Sequence, residues 1–255
     1  MSVLKRDFLM EDLAVQLDAV RIDAAITVQA TQTLVETRWL IDLAEHHSRL
    51  RGVVGWVPLA DERLRQVLET LTQHKVLKGV RHVVQGESDD RFILGEAFNR
   101  GVSLLKEFGL IYDILIFSRH LPAAIEFVDR HPEQLFVLDH IAKPTIHPQR
   151  FDEEWSRQIR HLAQRSNVSC KFSGVVTEVR GEPWEIELIQ PYWDVVFECF
   201  GSSRLMFGSD WPVCLLKTSY QRWVDALQEL MSKLSPTENA NFWGHNAARI
   251  YGLSL

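Results

Sequence analysis

The chain has 255 residues, 46% hydrophobic and 24% charged, enough to bury a large core as one α/β barrel domain or two small domains. Its 28 Lys and Arg against 34 Asp and Glu leave a net charge of −6, which excludes the basic footprint that nucleic-acid partners need. Three scattered cysteines, Cys170, Cys199 and Cys214, exclude a disulfide framework or zinc knuckle, and without a secretory leader or bilayer-length apolar run the chain reads as soluble and cytoplasmic.

The first periodic signal is Leu13, Leu17 and Val20, on one side of a helix with Glu11, Asp12 and Asp18 on the other. A buried strand is expected over Ile22 to Ala30, then a helix from Leu34 to His47. The unit repeats as a strand over Gly52 to Leu59 and a helix striped by Leu64, Val67, Leu68 and Leu71. It repeats again as a strand at Gly79 to Val84, a helix at about Phe92 to Phe108, a strand at Ile111 to Phe117, and a helix entered through Pro122. Strand and helix continue to alternate: Leu135 to His140, Phe151 to Gln164, Val168 to Gly174. Trp193, Val196, Phe197 and Phe200 then mark a helix after Pro191. The run from Arg204 enters Gly208 and presents Asp210, Trp211 and Pro212, followed by a helix carrying Trp223, Leu227, Leu230 and Leu234 and a last one from Pro236 to Tyr251.

Short strands separated by helices imply right-handed crossovers and a parallel sheet. No linker or low-complexity tract divides the chain, so residues 1–255 read as one domain. Seven strands are found where a closed (β/α)8 barrel needs eight. Because the first element is a helix, the expected fold is an α/β barrel of the TIM type lacking strand 1 in this chain. Its gap is expected to be filled by Met1 to Phe8, by a partner chain, or left as a groove. A doubly wound open sheet is the rival, weakened by the absence of a G-x-G-x-x-G turn or a P-loop.

Barrel enzymes place their chemistry at strand C-termini. Arg81 and His82 lie on what would be the fourth strand of a full barrel, and only one of them can point inward. His140 stands at the tip of the sixth, with Lys143 just after it. The seventh ends in Ser173 and Gly174, and the eighth delivers Asp210. There is no G-x-S-x-G elbow, no H-E-x-x-H and no H-x-H among the ten histidines. Cys214 lacks an evident histidine base.

Together GVRHVVQGE, YDILIF, FVLDHIAKP, CKFSG, LMFGSDWPVC and NAARIYGL resemble amidohydrolase family 2, and within it the sugar-lactonase group of the L-fuconolactonases and L-rhamnonolactonases. The 2-pyrone-4,6-dicarboxylate hydrolases are close relatives. The resemblance runs from about Arg6 to Leu253 and implies a barrel that hydrolyses a sugar lactone to an aldonic acid in carbohydrate catabolism. It implies that Asp210 is the general base and later proton donor, that His140 is the sixth-strand histidine, and that Arg81 and His82 are the fourth-strand pair. Lys143 falls in a turn that relatives write DHxGKP, and here Ala142 replaces the glycine. Relatives also begin with a strand ending in His-x-His, which this chain lacks. The lactonase group implies no required metal. A zinc ion, if held, would fall to His140 and Asp210, and the missing His-x-His pair argues against it.

Opening a lactone needs an activated water, a stabiliser for the oxyanion and a proton for the alkoxide. Asp210 can take the proton from water, while Arg81, His82 or Lys143 can stabilise the developing charge. His140 can orient the carbonyl or pass a proton. Trp56, Trp184 and Trp211 offer flat faces for a sugar ring, and Glu178, Arg180 or Glu182 offer hydroxyl contacts. A pyrone dicarboxylate would want arginines, and Arg81, Arg119 and Arg180 leave that substrate open. The partner expected is a small sugar lactone, with room for a homo-oligomer and no role for nucleic acid or membrane. The alternatives are pyrone-dicarboxylate hydrolysis, a family 2 decarboxylation, or an inactive truncated barrel.

Overall fold

The structure, a computed structural model, describes residues 2–181 and 183–254. Its centre is a parallel sheet of seven strands in simple sequential order. They are β1 (Ala25–Val28), β2 (Leu50–Gly55), β3 (Leu77–Val83), β4 (Ile111–Leu115), β5 (Phe136–Leu138), β6 (Val168–Phe172) and β7 (Leu205–Phe207). Around them run α1 (Met10–Ala19), α2 (Leu34–His46), α3 (Leu64–Leu71), α4 (Glu96–Leu105), α5 (Leu121–Arg130), α6 (Glu153–Leu162), α7 (Ile186–Arg204) and α8 (Tyr220–Leu230). Two short helices, α9 (Pro236–Ala240) and α10 (Asn246–Ile250), close the C-terminus. The fold is a TIM-type barrel with seven strands among the described residues, as the alternation of elements implies.

The boundaries follow local chemistry. Thr33, Asp152 and Ser219 each cap a helix by accepting a backbone N–H from three residues on, and Ser235 with Glu238 forms a capping box at α9. Among the boundaries that differ from expectation is the start of α7: it begins at Ile186, so Pro191 lies inside the helix rather than before it. The apolar side chains Ile189, Trp193, Val196 and Phe200 are buried along α7, and that packing outweighs the local cost of the proline.

Alternation along the strands sorts the core into two layers. Outward-facing Val80, Tyr112, Ile114, Phe136, Cys170 and Phe172 pack with the helices in the main cluster. Phe98, Phe127 and Phe136 surround the Tyr112 ring edge-on, each fully buried ring contributing roughly 1.5–3 kcal/mol. Inward-facing Val54, Ile111, Val137 and Met206 form a second cluster, closed at the N-terminal end of the barrel by Ala247, Ile250, Tyr251 and Leu253 from the C-terminus.

Among the described residues β1 and β7 do not pair. The space between them is bridged by side chains: Leu17 of α1 packs with Tyr220 and Val224 of α8, with Ala25 of β1 and Phe207 of β7 against the same cluster. Residues Ser2–Leu4 lie against the turn Val213–Leu216, and Phe8 meets Trp211 edge-on at 5.3 Å. The N-terminal segment therefore covers the rim at the gap, one of the three expected arrangements. Met1 lies outside the described residues. Among the described residues no helix is long and apolar enough to cross a membrane.

Candidate active site

The C-terminal rim is shaped by a left-handed turn. After β5 the chain passes through His140, Ile141, Ala142 and Lys143 with φ of 52°, 48°, 60° and 47°. Each non-glycine residue in this region costs about 1–2 kcal/mol, so the turn persists because its surroundings hold it. Ile141 and Ala142 are fully buried, the Trp155 indole donates to the Ile141 carbonyl at 2.7 Å, and Lys143 N–H donates to the His140 carbonyl at 2.8 Å. Ala142 thus adopts a left-handed conformation that the glycine of DHxGKP would take freely.

The turn sets His140 against Ser173 and Asp210. His140 Nδ1 lies 2.8 Å from Ser173 Oγ, and its Nε2 lies 3.6 Å from Asp210 Oδ1. The second distance exceeds a hydrogen bond, so neither group consumes the other, and both are available to a molecule placed between them. Burial holds the His140 imidazole below its ordinary pKa, helped by Lys143 and Arg81 and opposed by Asp210 and Asp139. At neutral pH the ring is uncharged, and the contact with Asp210 is not an ion pair.

Gly174 makes this closeness possible. Its φ is +64°, and a Cβ there would stand 2.9 Å from His140 Nδ1 and 3.0 Å from Asp210 Oδ2. Only glycine meets both demands, backbone and space. Gly208, where a Cβ would strike Ser173 Cβ at 2.7 Å, gives Ser173 its room in turn. Asp210 itself is left-handed at φ 53°, a conformation Asp and Asn tolerate better than other side chains, and its carbonyl accepts the Cys214 N–H at 2.8 Å.

Below the pair the barrel interior is charged. Lys171 on β6 donates to Asp113 of β4 and, at 2.8 Å, to Asp139, while Tyr251 Oη donates to Asp113 at 2.9 Å. Arg81 on β3 donates to the other Asp139 oxygen at 2.8 Å and to the Gln29 carbonyl. Burial pushes the Asp139 carboxyl up, but Lys171 and Arg81 more than offset this and hold it well below the usual range. Burial also lowers Lys171, and Asp113 and Asp139 reverse this, keeping the ammonium charged. Asp113 goes the other way, raised by burial and Asp139 against the pull of Lys171.

The expected site residues therefore separate. His140, Asp210 and Ser173 meet at the mouth. Lys143 is near enough to act electrostatically on both His140 and Glu178, with its ammonium 5.7 Å from the Phe117 ring centre. Arg81 points inward, yet its terminal nitrogens are engaged by Asp139 and Gln29, so it supports the turn from beneath. His82 is the outward member of the pair. Its Nε2 is 2.7 Å from Glu87, its Nδ1 accepts from the Trp56 indole at 3.3 Å, and its ring stacks on Phe92 at 5.0 Å. The structure does not bring His82 to His140 and Asp210.

Trp211 is half-buried beside Asp210 and covered on one edge by Phe8. Trp184 is buried, with the Arg222 guanidinium 4.4 Å above it, and serves packing. Arg119 pairs with Asp90 at 2.9 Å, and Glu182 lies outside the described residues. The Cys214 thiol is buried and pushed up to about 12 by burial and by Asp210, which rules it out as a ready nucleophile at neutral pH.

Sequence reasoning missed Asp113, Asp139, Lys171 and Tyr251. A signal was available: Asp113 in IYDIL and Lys171 in VSCKF are lone charges inside otherwise apolar strands, and such residues are almost never buried unless paired.

The sequence model of the Amidohydro_2 family, described as amidohydrolase, matches residues 2–253. The chain is 38% identical over 273 residues to an L-fucono-1,5-lactonase of Burkholderia multivorans, covering 99% of this chain and 88% of that protein. An L-fucono-1,5-lactonase of Burkholderia ambifaria is 33% identical over 255 residues, covering 98% and 87%. A crystal structure of an amidohydrolase from Burkholderia multivorans with bound zinc superposes with a TM-score of 0.95 at 37% identity, covering 100% of this chain and 92% of that one. In the present chain no three His, Cys, Asp or Glu side chains among the described residues are grouped to hold a metal ion. His140 and Asp210 supply two donors where a catalytic zinc uses three protein ligands, so the described donor set does not fit a zinc site.

Proposed function

The chain belongs to the Amidohydro_2 family of amidohydrolases, and on that premise we propose how it acts: it opens a sugar lactone to the aldonic acid by attack of water on the ring carbonyl. The observation that carries the assignment of roles is the His140–Asp210 pair, 3.6 Å apart at the barrel mouth with neither group spent on the other.

Asp210 accepts a proton from the attacking water as the C–O bond forms, a general-base contribution of about 10²–10⁴ in rate. The carbonyl oxygen becomes the oxyanion, and the Lys143 ammonium stabilises it electrostatically. When the tetrahedral intermediate collapses, the ring C–O bond breaks and the leaving alkoxide takes the proton back from Asp210. Neutral His140, oriented through Ser173, holds the carbonyl or water by a hydrogen bond. A lactone is already an activated ester, and each step balances with these residues and water alone. Trp211 contributes an apolar face beside the acid. We place the reaction in the cytosol, where Cys170, Cys199 and Cys214 stay free thiols.

Proton release on ring opening tests this. With a pH indicator, the purified chain is expected to consume L-fucono-1,5-lactone and to leave 2-pyrone-4,6-dicarboxylate unchanged. Turnover of the pyrone but not of the sugar lactone would replace this function with the other hydrolysis.

A further inference from the structure

We propose that Glu178 is a specificity-determining residue, whose carboxylate accepts a hydroxyl group of the lactone substrate. The proposal rests on the lactonase function above and names what within the mouth selects a polyhydroxylated ring.

Glu178 is held in place from both sides. It ends the short turn Val176–Glu178, where Thr177 Oγ1 donates to the Gly174 carbonyl at 2.7 Å and Glu178 N–H donates to the Val175 carbonyl at 3.1 Å. On the other side Ile146 N–H donates to the Glu178 carbonyl at 3.4 Å, and Arg180 N–H donates to the Ile146 carbonyl at 2.8 Å. The turn is thus tied to Gly174, whose missing side chain leaves room for His140 and Asp210, and to the loop that leaves Lys143. It also packs against Val213–Leu216, the turn that follows Asp210.

The carboxylate on this fixed backbone is half-buried, and no described side chain donates a hydrogen bond to it or pairs with it. Lys143, Arg180 and Asp210 are the charged groups that act on it; burial is the largest influence and raises its pKa. A half-buried carboxylate with no protein donor keeps its accepting capacity free, and a ligand hydroxyl beside Asp210 and Lys143 can use it. A sugar lactone brings hydroxyl donors and no charge. A dicarboxylate brings no hydroxyl donor, and Glu178 adds a like charge that a neutral sugar lactone does not meet.

The test is a ratio, which does not depend on how much of each preparation is folded. kcat/KM is measured for L-fucono-1,5-lactone and for δ-valerolactone, a six-membered lactone with no hydroxyl, in the wild type and in Glu178→Ala and Glu178→Gln. A hydrogen bond to a charged acceptor predicts that the preference for the hydroxylated ring falls about 10- to 100-fold in Glu178→Ala. In Glu178→Gln, which keeps an acceptor oxygen, it falls less. A preference unchanged within threefold in Glu178→Ala overturns the proposal, whether both rates drop together or neither does. A wild type that opens neither lactone counts against the lactonase function itself, a separate result.

Discussion

Asp210→Asn is expected to lower kcat for lactone opening by roughly 10³-fold with little change in KM or in folding. The amide has nearly the carboxylate's shape but cannot accept the proton from water, so it removes the general base and leaves the mouth intact. Asn is the right replacement for a backbone reason as well: position 210 sits at φ 53°, and Asn tolerates that conformation as Asp does, whereas Ala would add backbone strain. The measurement is steady-state kinetics beside a thermal melt. Loss of activity with an unchanged Tm supports the assigned role, and equal rates in the two proteins contradict it.

Lys171→Met is expected to destabilise the fold by about 3–5 kcal/mol, which lowers Tm on the order of 10 °C for a chain of this size. Among the described residues Lys171 is the one ammonium shared by Asp113 and Asp139, which are 0% and 1% exposed. Removing it leaves Asp113 with only the Tyr251 hydroxyl, and leaves Asp139 with Arg81. The deficit should shrink as pH falls from 8 to 5.5. Asp113 already has a pKa raised by burial, and losing Lys171 raises it further. The folded state then binds more protons than the unfolded one, so stability is gained as pH falls and lost as it rises. A variant as stable as wild type at pH 8 would show that the charged column does not hold the barrel together.

The repeating strand–helix pattern made the architecture legible, because each strand is a short apolar run buried on both faces and each helix carries a stripe of apolar residues. Asp210 and His140 were legible for a related reason: a polar residue directly after such a run stands at the rim. The inward or outward sense of Arg81 and His82 was not, since alternation says that one faces in without saying which. Register decided it, with Arg81 opposite Asp113 and His82 opposite Ile114. The left-handed run through Ala142 was also hidden, because nothing local in IAK favours positive φ and tertiary burial enforces it. The role of Gly174 needed two groups from different strands to be seen converging on one Cα.

If water activated by Asp210 attacks the lactone carbonyl directly, single turnover in H₂¹⁸O with enzyme in excess will show where its oxygen goes. Aldonate from the first turnover is expected to carry one ¹⁸O, in its carboxylate. Unlabelled first-turnover aldonate with ¹⁸O recovered in Asp210 would make that residue the nucleophile, and label in the new hydroxyl would place the bond cleavage on the wrong side of the ring oxygen; either result contradicts direct attack by water on the carbonyl.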